Sequence, residues 1–499
     1  MTNETPHSTE TDARKRRARL TGLLAGSALA LFLAGKLVLP AGDFDLWGYM
    51  AFGRLFWEDP GFPYRDVFAY TPTKVQWVYH EWLTGVLYYP IYYYLGGTGI
   101  QGLRLAVGLA TCLAVYAAAR VRGAMGLQAG LFCLASGAVL PIGFAPARAQ
   151  IFTYLFFALY LGLLESARRR DRYGRLWLAV LVMPVWANLH GGFLAGLGLT
   201  GMYAAGALFG RRRFAPYSLC AAGCAAVTFA NPYGPSYWIY LIEAIRMPRP
   251  DIAEWFSVPK ALTMPGIANN ALIFLAFALL AATLLILRRH RDLTDWIVLA
   301  VTFQMGFSHL RHQVFFFLAF GALLPSVFAG AGAPDPMAER VVRLAGSRLG
   351  VAVMGLLTLL FAVKIGLSRP LLLTAPDAAM TKPGDFGYPV QAARIIRERG
   401  LSGRVLPHFN WGEWLSWELY PDLMVAMDGR YETVYPRQVH EAYFQFLNAE
   451  SDWRDFLNAW PPDMILVAPT DAVSGKLLDE PGWRLVHRDA GSLFFERKR

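Results

Sequence analysis

The sequence predicts a mainly α protein: a multi-pass transmembrane helical bundle of about 11 spans, followed by a C-terminal extracytoplasmic α/β domain. Three observations carry this. The 499 residues are 55% hydrophobic and only 17% charged, where soluble domains carry about a quarter. The apolar residues come in blocks of membrane-spanning length. After about residue 368 the pattern changes to short β-type runs alternating with amphipathic helical runs, which argues for a small layered α/β unit. A disordered chain, a coiled coil, a collagen and an ordinary cytosolic enzyme are thereby excluded. The net charge of +11 does not mark a nucleic-acid binder, because the arginines cluster between apolar blocks, where membrane topology accounts for them.

Taken in order, residues 1–19 form a basic tail ending in Arg14, Lys15, Arg16, Arg17 and Arg19. The apolar run 20–39 follows with no small-residue cleavage site, so it reads as a retained helix with a cytoplasmic N-terminus. Further spans are expected near 99–119, 123–143, 150–166, 176–189, 191–209, 215–231, 267–287, 293–308, 313–331 and 349–368, which makes 20–368 the bundle. The block Trp82–Leu95 is apolar but only 14 residues long, with Pro90 and five tyrosines. Were it a span, the clusters Arg120/Arg122, Arg168–Arg170 with Arg172 and Arg175, Arg211–Arg213 and Arg288/Arg289/Arg291 would all face outward. Laid flat in the outer interface, it leaves them cytoplasmic, as the positive-inside rule and the aromatic belt both favour. Three outer regions result: a first loop (41–98), a mid-chain loop (232–266) and the C-terminal domain (369–499). In that domain strands are expected at Arg404–Pro407, Leu423–Met427, Met464–Ala468, Trp483–Arg488 and Ser492–Glu496. Helices are expected at 388–399, 411–419, 437–449, 451–459 and 471–479. The four cysteines, Cys112, Cys133, Cys220 and Cys224, lie in apolar segments and read as small buried hydrophobes.

The first loop carries the densest polar pattern: Asp43 and Asp45 directly after the first span, then Gly53-Arg54, Asp66, and His80-Glu81 before Trp82. A carboxylate at headgroup level can take a proton from an acceptor hydroxyl or bind a divalent ion, and two acids one residue apart can share that ion or raise one another's pKa. Either aspartate could equally cap a helix starting near Leu46. His80-Glu81 could complete an acidic site, although one His beside one Glu is no metal motif. Arg148, Arg311 and His312 stand at outer helix ends. An arginine fork suits phosphate, and snorkelling to headgroups is the plainer alternative. Asn188, His190 and Glu254 are further polar candidates on the same side. Asn410-Trp411-Gly412-Glu413-Trp414 and Met427-Asp428-Gly429-Arg430 stand out in the C-terminal domain, the second first of all as a turn. No Walker loop, dinucleotide glycine pattern, nucleophile elbow or HExxH is present, and no nucleotide is expected.

These residues form an ordered set. Asp-x-Asp-Leu-Trp after the first span, Gly53-Arg54, the stretch Pro63 to Thr71 and His80-Glu81-Trp82-Leu83 resemble the first loop of bacterial multi-pass proteins of the GT-C glycosyltransferase superfamily. Trp186-Ala187-Asn188-Leu189-His190-Gly191-Gly192, Asn231-Pro232-Tyr233-Gly234, Arg311-His312, Asn410-Trp411-Gly412 and Asp428-Gly429-Arg430 extend the resemblance over most of the chain. It departs at Arg148-Ala149-Gln150, where Arg-Pro-Gln is expected. The resemblance implies a bacterial inner-membrane protein with a helical bundle, juxtamembrane helices in the first loop and a soluble outer domain. It also implies a polyprenyl-phosphate-linked sugar donor, an extracytoplasmic glycan, lipid or protein acceptor, and Asp43 or Asp45 as catalytic base. Arg148 and Arg311 are chosen for the donor phosphate from topology, not from the resemblance. The competing expectation is a scaffold or transport component of cell-envelope polysaccharide assembly.

Overall fold

The computed structural model describes residues 6–37, 42–59, 61–144, 147–247, 249, 252–329, 343–344, 346–368, 373 and 387–498. Apolar stretches of spanning length must satisfy their backbone groups internally, and they do so here as helices: α1 (Pro6–Leu37), α2 (Leu46–Glu58), α3 (Trp82–Val121), α4 (Gly126–Val139), α5 (Pro141–Phe144), α6 (Gln150–Arg170), α7 (Leu176–Leu189), α8 (Leu194–Phe209), α9 (Ala215–Val227), α10 (Pro235–Arg246), α11 (Val258–Leu262), α12 (Ala268–Leu287), α13 (Leu293–Ser308), α14 (Gln313–Ala329) and α15 (Arg348–Ser368). Among the described residues seven helical segments are long and apolar enough to cross a membrane, and α4, α9 and α13 are shorter apolar helices beside them. The chain is a multi-pass membrane protein. The residues expected to close the first span (38–39), to end the span at 331 and to open the C-terminal domain (369–372 and 374–386) lie outside the described ones.

Several helices are shorter than a bilayer. The 14 residues of α7 rise only about 21 Å. The reason is visible at one end of the bundle, where the chain leaves the helix to present polar groups. His190 adopts extended backbone and a 3₁₀ turn at Gly191–Phe193 leads into α8. His309 and the turn Leu310–His312 do the same between α13 and α14.

Helix α3 has a break of its own. Gly96 sits at φ 60° and ψ −159°, a conformation open essentially to glycine alone, so residues 82–95 and 97–121 are two helical pieces of different direction. The first piece packs on α2 through Tyr92 against Trp47 and on the C-terminal domain through Tyr89 and Tyr92 against Trp417. The block expected to lie flat therefore joins the first loop and the C-terminal domain on one side of the bundle.

The opposite ends of the same helices hold a buried ionic network. Arg122 at the end of α3 binds Glu165 of α6 at 2.8 Å and Asp295 of α13 at 3.1 Å, while Arg168 forms two parallel bonds to Asp292 at 3.0 and 2.9 Å. His290 adds a 2.8 Å contact to Asp295. The arginine clusters at 168–175, 211–213 and 288–291 flank this end.

The C-terminal unit comprises α16 (Val390–Glu398), β1 (Gly403–Pro407), α17 (Gly412–Leu419), β2 (Leu423–Val425), α18 (Tyr431–Val434), α19 (Arg437–Leu447), α20 (Arg454–Ala459), β3 (Met464–Val467), α21 (Val473–Leu478), β4 (Trp483–Arg488) and β5 (Leu493–Arg497). Its five-stranded sheet has the order β2-β1-β3-β5-β4, with β1 parallel to both neighbours and β5 antiparallel to β3 and β4. β3, fully buried, is the apolar centre of this sheet.

The first loop is bonded to the edge of that sheet. Val425 donates its N–H to Phe68 O at 2.8 Å, and Tyr70 donates to Val425 O at 3.1 Å, forming a parallel bridge between Ala69 and Val425. Arg54 holds the last carbonyls of α17, those of Trp417 and Ser416, at 3.0 and 3.2 Å. These bonds close the bundle, first loop and C-terminal domain around one cleft.

Candidate active site

The cleft is built from loop ends. A polar cavity of about 570 Å³ is lined from the bundle side by Asp45, His80, Glu81, Arg148, His190, Arg249, Glu254 and Arg311. The C-terminal domain closes it with His408, Asn410, Glu413, Arg430, Tyr431 and Glu432. A second cavity of about 800 Å³ adjoins it and shares His80, Gln150, His190, Arg249, Trp255, Arg311 and Glu432. Its other walls are largely apolar, among them Phe157, Leu194, Met202, Leu241, Ile245, Val301, Met305 and Phe315, together with His312.

The two aspartates take different places. Asp45 lines the cavity with its side chain 38% exposed, whereas Asp43 is 7% exposed and lies behind Arg148. Neither gives α2 a side-chain cap from the N-cap position: Asp45 makes no such bond, and Asp43 accepts the Asp45 N–H at 3.2 Å. Arg148 Nε lies 2.7 Å from Asp43 and 3.2 Å from Asp45, and its Nη1 is 3.1 Å from Glu254. The guanidinium thus stands where a divalent ion shared by Asp43 and Asp45 would sit, so those two residues do not fit a metal between them. Among the described residues no cluster of three or more His, Cys, Asp or Glu side chains is arranged to hold a metal ion.

Electrostatics separate these carboxyls by role. Burial raises the Asp45 pKa to about 7, with Asp43 and Glu254 adding to the rise and Arg148 and Arg311 opposing it. Burial, with Asp45 contributing, raises Glu81 to about 8. Glu254 goes the other way: burial pushes it up, but Arg311 and Arg148 outweigh that and hold it below the usual glutamate value. For Arg148 burial disfavours the charge, yet Asp45, Asp43 and Glu254 more than offset it and its pKa lies well above the usual value.

Burial favours the neutral form of His80 and His190. Burial lowers His80 to about 4 and His190 well below its usual value. His190 Nδ1 accepts the Gly192 N–H at 2.8 Å and lies 2.9 Å from Thr153 Oγ1, so the ring proton belongs on Nε2, 3.4 Å from Glu81 Oε1. His80 Nδ1 pairs with Tyr240 Oη at 3.0 Å. Glu81 therefore sits between two neutral imidazoles, its Oε1 3.6 Å from His80 Nε2.

Asn188 and Asp66 stand outside both cavities. Asn188 accepts the Trp82 Nε1–H at 2.7 Å and donates to Pro184 O and Ala230 O. Asp66 accepts the N–H groups of Phe68 and Ala69 at 3.1 and 2.7 Å and pairs with Arg430, which also binds Asp428. The cleft also recruits residues that sequence reasoning did not select as site candidates, including Tyr49, Arg249, Trp255, His408, Glu413 and Glu432. Glu413 accepts the Gly48 N–H at 2.9 Å, and burial raises its pKa well above the usual value. A glutamate inside the apolar Trp411–Trp414 run was the available signal.

The helical bundle with its appended α/β unit is similar in fold to solved membrane transferases. Among solved structures, the Archaeoglobus fulgidus oligosaccharyltransferase in its apo form superposes with a TM-score of 0.54 at 13% identity, covering 89% of this chain and 69% of that one. ArnT from Cupriavidus metallidurans bound to undecaprenyl phosphate gives 0.50 at 14% identity, covering 95% and 97%. At such identities the likeness is one of fold. No protein-family model matches the chain, and no curated protein matches it.

Proposed function

We propose that the protein is a membrane glycosyltransferase that moves a sugar from a polyprenyl-phosphate carrier to an extracytoplasmic acceptor. The observation that carries this reading is the union of the two cavities. A carboxylate with a pKa of about 7 shares a polar chamber with arginines from separate interhelical connections, and that chamber joins an apolar one on the bundle side. An acceptor hydroxyl and a lipid-linked phosphate need those two environments side by side. That a solved protein of this fold is bound to undecaprenyl phosphate supports the same donor class.

In this mechanism the polyprenyl chain lies in the apolar cavity and its phosphate faces Arg148 and Arg311. Asp45 takes the proton from the acceptor hydroxyl or amine as that atom attacks the anomeric carbon. The bond between the anomeric carbon and the phosphate oxygen breaks, and its electron pair stays on the departing polyprenyl phosphate. The arginines neutralise the charge that develops there. Asp43 holds Arg148 from behind and so is a positioning residue. No step passes through a metal, and no nucleotide is required because the donor is already activated.

The full chain, reconstituted in liposomes with a radiolabelled undecaprenyl-phosphate sugar and an envelope acceptor fraction, tests this. Asp45→Asn is expected to cut transfer by about 100-fold or more. Undiminished transfer in Asp45→Asn, Asp43→Asn and the double variant overturns the assignment.

A further inference from the structure

Glu254 bridges the two arginines assigned above to the donor phosphate. Its Oε2 lies 3.1 Å from Arg148 Nη1 and its Oε1 3.2 Å from Arg311 Nη1, so one carboxylate bridges arginines from two different parts of the bundle. Other donors of both arginines are engaged away from that point. Arg148 Nε and Nη2 point to Asp43, and Arg311 Nη2 points to Gln150 Oε1 at 3.1 Å. The two Nη1 groups that meet at Glu254 are thus the pair a third group can bridge. A carboxylate and a phosphate oxygen pair compete for such a fork in the same geometry.

The neighbouring residue extends the argument. Trp255 lies beneath two guanidinium groups, with Arg249 at 4.3 Å and Arg311 at 4.7 Å from its ring centroid. It lines both cavities, whereas Glu254 lines only the polar one. Both residues belong to the short turn Ala253–Trp255. This turn stands at the border a lipid-linked phosphate crosses on its way from the apolar chamber to Asp45.

We propose that Glu254 is an exchangeable stand-in for the donor's phosphate, displaced from Arg148 and Arg311 when the lipid-linked phosphate enters and returning when the product leaves. The inference rests on the donor reading given under Proposed function. Before donor arrives, the carboxylate keeps the arginine charges compensated in a partly dehydrated cleft. Afterwards, its return competes with the phosphate product and favours release. The Ala253–Trp255 turn moves with the exchange, because Trp255 shares Arg311 with Glu254.

The test is equilibrium binding of undecaprenyl phosphate to the full chain in lipid nanodiscs. Removing a competitor has the opposite sign to removing a ligand: Glu254→Gln and Glu254→Ala are expected to bind the lipid about fivefold or more tightly than wild type, while Arg311→Gln binds it more weakly. Affinity that is unchanged or weakened in both Glu254 variants, with Arg311→Gln still weakening it, overturns the exchange and leaves the donor reading standing. A wild-type protein that does not bind undecaprenyl phosphate overturns both. Thermal melting identifies any variant that is not folded, and the other Glu254 variant then gives the decisive comparison.

Discussion

Two aspartates one residue apart take different places in this cleft. Asp45 opens onto the cavity, while Asp43 backs Arg148 at 2.7 Å. Asp45→Asn should therefore lower kcat with little change in donor KM, whereas Asp43→Asn should act through Arg148 and raise KM for the lipid-linked donor; steady-state kinetics on both variants separates the two. The pH profile follows from the raised carboxyls. Asp45, the proposed base, has a pKa of about 7 and is mostly deprotonated above that value, so kcat/KM should rise with pH through about 7. Glu81 affects stability in the opposite direction. Its pKa of about 8 in the fold exceeds the ordinary glutamate value, so the folded protein holds a proton that the unfolded chain has released. Stability should then fall as pH rises from about 4.5 to 8, and Glu81→Gln should melt higher than wild type at pH 9 with the gap closing at pH 5. Asp45, Glu81, His80, Arg148 and Arg311 were legible in the sequence because polar residues at the ends of apolar blocks are few. Glu432 was not, because in a mixed α/β domain an acidic residue is ordinary; Glu413 stood out only as part of the Asn410–Trp414 run, and its tertiary contact with α2 is what makes it a cleft residue.

Among the elements, the first loop and the C-terminal domain depend on one another. The segment around Ala69 extends the sheet beside β2, and Asp66, Arg430 and Asp428 form a buried charged triad beneath it. Arg430 also lies over the rings of Phe68 and Trp77 at 4.9 and 5.0 Å. Arg430 is the one cation of the three, so Arg430→Ala leaves two buried carboxyls without a counter-charge and should destabilise the protein by about 3–5 kcal/mol, read as a lowered melting temperature together with faster amide exchange at Tyr70 and Val425. Helix α2 meets α3 at a glycine contact. A Cβ at Gly53 would come within 2.3 Å of Gly85 O and 2.5 Å of Tyr89 Cβ, so Gly53→Ala forces the two helices apart and should lower transfer while the bundle stays folded. Short β-type runs set between amphipathic helical runs made all five strands of the C-terminal unit readable, with ends differing by at most two residues. The strand-like bridge at Ala69 was not readable, because its hydrogen bonds connect positions more than 350 residues apart and leave no local periodicity.

On the scale of the whole molecule, the bundle carries unlike charge arrangements at its two ends. One end holds the mixed cleft under the C-terminal domain, and the other holds the network of Arg122, Glu165, Arg168, Asp292 and Asp295 among the arginine clusters. By the positive-inside rule the arginine-rich end is expected on the cytoplasmic side. All four native cysteines are buried, so single cysteines at exposed positions give a clean readout. In intact cells Arg170→Cys and Arg213→Cys should resist an impermeant thiol reagent and Asp479→Cys should react. Block lengths and arginine placement made the bundle legible from sequence. The break at Gly96 was less so, since a glycine pair in an apolar run fits a continuous helix equally well. The central claim is that a lipid-linked phosphate and Asp45 share one chamber. A structure of the full chain in lipid with undecaprenyl phosphate bound tests it most directly. Phosphate oxygens are expected about 3 Å from both Arg148 and Arg311, with the polyprenyl chain along the wall formed by α8 and α13. A phosphate seated away from these arginines, or a chain running along another face of the bundle, would contradict it.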